Sequence, residues 1–146
     1  MKNTLHPNIA KSYQRIPFKI TKTNHLLVNA EINGVKGKFI LDTGASNSCV
    51  DFTNVEYFNL IAADSKTKAA GAGAVGMLTK LSMANTLKMS RWKFADLHLV
   101  IFDLSHVNLA LTQHKAKPVQ GIIGADVLIP FEAIIDYSTN SLYLKK

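Results

Sequence analysis

One short run in this sequence places a reactive side chain where chemistry could be done. Asp42-Thr43-Gly44-Ala45-Ser46 follows directly on the apolar stretch Phe39-Ile40-Leu41. A carboxylate at the tip of such a loop can be held by backbone N–H groups. Gly44 has no Cβ, so its own N–H can come close to a neighbouring carboxylate. The chemistry open to a carboxylate held this way is proton transfer; the competing reading is an ordinary turn Asp at a strand end. Three other features are weaker. Gly71-Ala72-Gly73-Ala74-Val75-Gly76 matches the letters of a dinucleotide fingerprint, and Asp96 stands at the expected distance beyond it. That motif needs an apolar strand before it and a helix after it. Here Asp64-Ser65-Lys66-Thr67-Lys68 comes before and strand-period residues come after. Cys49 lacks an activating signature in Asn47-Ser48-Cys49-Val50 and reads as a small buried thiol. His6, His25, His98, His106 and His114 show no metal-ligand spacing.

The elements that must position Asp42 read as short strands. In Leu26–Ile32, Val28, Ala30 and Ile32 share one face, with Asn29 and Glu31 on the other. Asn33-Gly34 tolerates the positive φ of a type I′ turn, and Val35–Leu41 returns with Lys36 and Lys38 outward. Residues 51–60 suit either a short helix or an irregular link. Alternation over residues 81–89 predicts a strand with Met83, Leu87 and Met89 in the core or lining a cleft, and residues 96–102 predict another. Residues 103–120 read as a long connection. Gln120-Gly121-Ile122-Ile123-Gly124 is a buried strand pinched between glycines, and 125–129 has room for one helical turn before Pro130. Ala133–Asp136 and Ser141–Leu144 flank the turn-forming residues 137–140 and make a closing hairpin.

Asp42-Thr43-Gly44-Ala45 after an apolar strand, followed in order by Ile122-Ile123-Gly124, resembles the retropepsin family of aspartic proteases. The resemblance covers residues 25–144 and takes in the turn at 125–129 and the final strand. It implies an all-β fold: a retropepsin-like closed or partly open β-barrel, the acid protease fold, with one short helix near the C-terminus. Residues 25–146 would form that domain, behind a lead-in segment of residues 1–24. By the same resemblance Asp42 is the catalytic carboxylate, and Thr43, Gly44 and Ala45 support the loop. The Thr43 hydroxyl would brace two such loops against each other, with Ile122, Ile123 and Gly124 on the strand behind. Residues 66–83 would form the flap over the substrate, with Gly71, Ala72, Gly73, Ala74, Val75 and Gly76 at its tip; a plain loop is the alternative.

Aspartic protease chemistry needs two carboxyl groups sharing one proton, one acting as base toward a water and the other as acid toward the scissile carbonyl. The chain holds a single Asp-Thr-Gly. The resemblance therefore implies an aspartic endopeptidase working as a homodimer on a peptide or protein, with no cofactor and no metal. The alternative in a different class is a retropepsin-like peptide-binding or dimerisation module without catalysis.

Composition sets outer bounds. The 146 residues, 47% hydrophobic and 18% charged, suit one globular domain and exclude a disordered or collagen-like chain. No apolar run approaches the roughly 20 residues of a membrane span. The opening residues lack the apolar stretch of a signal peptide, which points to the cytoplasm unless a leader has been removed. The single Cys49 excludes an intrachain disulfide. With 17 Lys and Arg against 10 Asp and Glu, the net charge is +7, but the basic residues are scattered along the chain. Nucleic acid is not an expected partner, since binding needs a focused stripe.

Overall fold

The computed structural model describes residues 11–64 and 79–146. Its architecture starts from the hairpin of β3 (Leu26–Ile32) and β4 (Val35–Leu41). Asn33 and Gly34 adopt φ of 52° and 82°, so the two-residue turn is of the expected left-handed kind and fixes Ile32 opposite Val35. With that register Leu26, Val28, Ala30 and Ile32 are all buried, while Asn29 stays exposed. Six strands close into a barrel in the order β3, β4, β9 (Gly121–Ile123), β5 (Cys49–Asp51), β8 (Trp92–Phe102) and β7 (Lys80–Met89). β7 pairs back onto β3 through Glu31 with Lys88 and Ile32 with Leu87. Closure buries Ile32, Phe39, Phe58, Leu87, Leu99 and Ile101 completely, and the Phe39 and Phe58 rings lie 5.8 Å apart at its centre.

The order around the barrel matters for the site. β9 runs parallel to β4 and antiparallel to β5, so it sits between the strand that leads into Asp42 and the strand that leaves that loop. Gly121 is required there: a Cβ would meet the Cys49 carbonyl at 2.2 Å and the Phe39 ring at 2.6 Å. β6 (Ala63–Asp64) pairs antiparallel with the start of β7. A second sheet holds β1 (Tyr13–Pro17), β11 (Ser141–Lys145) and β10 (Ile134–Asp136) in that order, and β2 (Lys19–Ile20) extends the barrel sheet beyond β3. Helix α2 (Ala125–Leu128) follows β9, as the stop at Pro130 predicts, and β10 and β11 form the closing hairpin.

Three elements differ from the sequence reading. Residues 13–20, part of the loose lead-in, form two strands. β1 pairs along its whole length with β11, and Ile16 is buried; its neighbours are polar, so periodicity hides it. The strand at 81–89 does not keep its alternation. Ala84 takes φ of 56° at a bulge between Ser82 and Asn85, which turns Ser82 and Asn85 inward and leaves Met83 56% exposed. Met83 is therefore not a core residue, whereas Leu87 and Met89 are. The buried Asn85 is satisfied, accepting from Asn33 Nδ2 at 2.9 Å and donating to the Ser82 and Leu97 carbonyls. Third, the connection at 103–120 contains a nine-residue helix, α1 (Ser105–Gln113). Only Leu111 on it is buried, so its sequence carries no apolar stripe to announce it. Residues 51–60 resolve as a 3-10 turn at Phe52–Asn54 followed by further turns.

Candidate active site

β4 delivers Asp42 to the end of its ladder with β9. Leu41 is paired with Ile123, and the Asp42 N–H donates to the Ile123 carbonyl at 3.0 Å, one bond beyond the strand. The chain then turns sharply, the Ala45 N–H donating to the Asp42 carbonyl at 3.2 Å. The Gly44 N–H donates to Asp42 Oδ1 at 2.9 Å, the contact its missing Cβ permits; a Cβ there would stand only 3.3 Å from the same oxygen. The loop divides in two by exposure. Thr43 and Gly44 face outward and Asp42 is half-buried, whereas Ala45 is buried. Among the described residues the Thr43 hydroxyl has no hydrogen-bond partner.

The rear of the loop is clamped by the strand and helix that follow from β9. The Ala125 N–H donates to the Ala45 carbonyl at 2.7 Å. Ser48, fully buried, is the hub of a second set of bonds. Its Oγ accepts from the Gly124 N–H at 3.0 Å and donates to Asp126 Oδ1 at 2.7 Å, while its N–H donates to Asp126 Oδ2 at 2.9 Å. Gly124 lies so near that a Cβ would meet the Ala45 carbonyl at 2.6 Å. The loop bearing Asp42 is thus held by one ladder bond in front and four bonds behind.

The other candidate groups around it are structural. Cys49 is buried, and burial pushes its thiol up to about 12, with the carboxylates of Asp126, Asp42 and Asp51 acting in the same direction. A thiol so held stays protonated, which excludes it as a nucleophile. Asp51 is buried too, but its carboxylate is taken up by the Thr53 N–H and hydroxyl and by the Leu104 N–H, which ties β5 to the entry of α1. Among the described residues no three His, Cys, Asp or Glu side chains gather as metal ligands.

The loop with its anchored carboxylate is backed by an apolar strand that leads into Gly124. A family model described as aspartyl protease matches residues 28–127. The chain belongs to the aspartyl protease family. The span of this match takes in both the Asp42 loop and the whole of β9. Among solved structures, the aspartyl protease fold seen here is similar to a retropepsin-like aspartic protease from Rickettsia conorii, at a TM-score of 0.62 and 18% identity over 90% of each chain. It is also similar to the retroviral protease-like domain of Ddi1 from Leishmania major, at a TM-score of 0.57 and 19% identity, covering 86% of this chain and 90% of that one. The fold is retropepsin-like. Among curated proteins none matches.

In this member of the aspartyl protease family, Asp42, Thr43, Gly44 and Ala45 come together with Ile122, Ile123 and Gly124, as β9 pairs with β4. The tip Gly71, Ala72, Gly73, Ala74, Val75 and Gly76 lies outside the described residues; the paired strands β6 and β7 bracket it. Ser48 and Asp126 were not singled out in the sequence. The available signal was their adjacency to the two motifs, Ser48 three residues past Ala45 and Asp126 two past Gly124.

Proposed function

We propose that this chain is an aspartic endopeptidase that cleaves peptide bonds as a homodimer, with one Asp42 from each copy flanking the attacking water. The observation that carries the reading is the loop itself. Asp42 is held in place by the Gly44 N–H, its neighbours Thr43 and Gly44 are exposed, and each chain has one such loop. A second copy related by a twofold axis would bring two carboxylates together in a self-complementary contact. Two close carboxyl groups cannot both ionise cheaply, so they share one proton. The ionised Asp42 takes a proton from the water as it attacks the scissile carbon, and the protonated Asp42 of the other copy donates to the carbonyl oxygen. Thr43, Gly44 and Ala45 hold the loop, the Thr43 hydroxyl reaching the partner's loop, and β9 supports it from behind. The segment between β6 and β7, including Gly71–Gly76, serves as the flap that covers the peptide. No cofactor or metal enters the mechanism.

The test is cleavage of a mixed peptide library by the wild type and by Asp42→Asn. The substitution keeps shape and removes the shared proton, so cleavage should vanish while the circular dichroism spectrum is retained. Specific activity should fall on dilution below the dimer dissociation constant, and excess Asp42→Asn should poison the wild type through mixed dimers. Undiminished cleavage by the mutant, or constant specific activity from a species that sediments as a monomer, overturns the shared-site mechanism. A folded wild type that cleaves nothing at any concentration leaves a retropepsin-like binding or dimerisation module.

A further inference from the structure

Four of the basic residues scattered along the sequence, Lys36, Lys38, Lys88 and Lys93, come together on adjacent strands of the barrel. Strand register sets Lys93 of β8 opposite Lys88 of β7, Lys88 opposite Glu31 of β3, and Glu31 opposite Lys36 of β4, a row of four charges across adjacent strands. Two residues along, Lys38 stands opposite Asn29 and donates to its side-chain carbonyl. One carboxylate thus stands among four ammonium groups, and its ion pair is long, Lys88 Nζ to Glu31 Oε2 at 3.9 Å. Like charges directly opposite on paired strands are destabilising, and the long contact to Glu31 offsets Lys88 against Lys93 only weakly. Lys36, Lys38, Lys88 and Glu31 line a groove of about 530 Å³ together with Tyr57, Gln120 and Ser90, and Lys93 stands beside it, opposite Lys88. Its floor is fixed: Gln120 Oε1 accepts from the Lys38 N–H at 2.6 Å, and the Tyr57 hydroxyl donates to the Lys36 carbonyl at 2.7 Å. None of residues 42–48 lines it.

We infer that this groove is a docking surface for an acidic polypeptide segment, separate from the Asp42 loop and independent of whether that loop is catalytic. An extended chain bearing Asp or Glu supplies the carboxylates the lysine row lacks, and its backbone amides suit the side-chain amides and hydroxyl in the groove. A nucleic acid fits less well. The groove lining holds Lys but no Arg, and Tyr57 is its one aromatic residue, where a strand of bases needs successive rings to stack on.

The test uses a fluorescein-labelled deca-glutamate peptide and anisotropy on the full chain, with labelled deca-thymidine as the competing class. Three charges are removed in the groove by Lys36→Gln, Lys38→Gln and Lys88→Gln together. An equal number are removed elsewhere by Lys80→Gln, Lys115→Gln and Lys117→Gln. The groove variant should weaken peptide binding about tenfold and the control less than about twofold, with the difference shrinking as salt is raised. Unchanged melting temperatures check that both variants fold; single Lys→Gln substitutions replace any triple that does not. Equal losses in the two variants mean attraction by net charge alone and overturn the proposal. So does tighter binding of the oligonucleotide with the same groove dependence, which would make this a nucleic-acid face.

Discussion

Gly124→Ala is the substitution that most directly probes how the Asp42 loop is held. Gly124 does not need glycine for its backbone angles, since φ is −110°, within reach of any residue. It needs glycine for space. An added Cβ would sit 2.6 Å from the Ala45 carbonyl oxygen and 3.1 Å from the backbone of Asn47, all of it main chain that cannot rotate away. Recovering an ordinary contact of 3.4 Å requires the loop and the β9–α2 junction to separate by about 0.8 Å. The movement also strains the 2.7 Å bond from the Ala125 N–H to Ala45 and the 3.0 Å bond from the Gly124 N–H to Ser48. Overpacking of this kind costs about 2 kcal/mol, a fall of roughly 6 °C in melting temperature for a domain of this size. A misplacement near 1 Å at a reacting group lowers turnover by about a hundredfold. The assay is kcat and KM on a peptide found by the library screen, alongside thermal unfolding. KM should change little, because the loop and not the substrate-covering segment is displaced. Full kcat at an unchanged melting temperature would show that the loop tolerates the shift and refute the reasoning.

Ser48→Ala removes two hydrogen bonds at once, leaving Asp126 Oδ1 and the Gly124 N–H without their buried partner, while the bond from the Ser48 N–H to Asp126 Oδ2 remains. Stability should drop by about 1–3 kcal/mol in chemical denaturation, with kcat reduced more than KM, and Ser48→Thr should restore both because it returns the hydroxyl. Full activity in Ser48→Ala would dismiss the clamp. Cys49 should not react with a disulfide reagent at pH 8 in the native protein and should react fully once unfolded. Its folded value is raised above the ordinary 9.0, so the stability linked to its burial is complete below pH 9 and is lost as pH climbs toward about 12. The wild type should therefore lose more stability than Cys49→Ala over that interval.

How far the sequence could be read depended on whether a residue's role was local. The β3–β4 hairpin was legible because Asn33-Gly34 and the alternation around it state one geometry twice. Asp42 and Gly124 were legible because each stands in a short run whose order carries the chemistry. β7 misled because a single residue, Ala84, enters the left-handed region and reverses the faces of everything before it, and no residue type there announces that. Helix α1 was illegible because it lies on the surface with Leu111 alone fully buried and Val107 only partly so. Ser48 and Asp126 are 78 residues apart, and their pairing exists only once β9 has inserted between β4 and β5. The lysine row likewise joins four strands, and scattered charge in the sequence became concentrated charge only through their register.

The two halves of the Asp42 loop differ in a way that bears on assembly. Apart from the Ala45 N–H on the Asp42 carbonyl, the bonds of Ala45 and Ser48 run to the elements behind the loop, to Ala125, Gly124, Asp126 and Val100. Thr43 and Gly44 are turned to the surface, and Gly44 spends its N–H on the Asp42 carboxylate. A purely structural turn gains nothing from that division, since an exposed Asp-Thr-Gly tip needs no buried serine hub to hold it. Rigid support behind an exposed carboxylate is useful when a second group must meet that carboxylate at a fixed distance. β11 already has β1 on one side and β10 on the other, so its hydrogen-bonding edges are occupied within the chain. A second copy meeting this one would then do so through surfaces other than a β11 edge. In the proposed homodimer the Asp42 tip, held from behind and open in front, would be where the two copies meet.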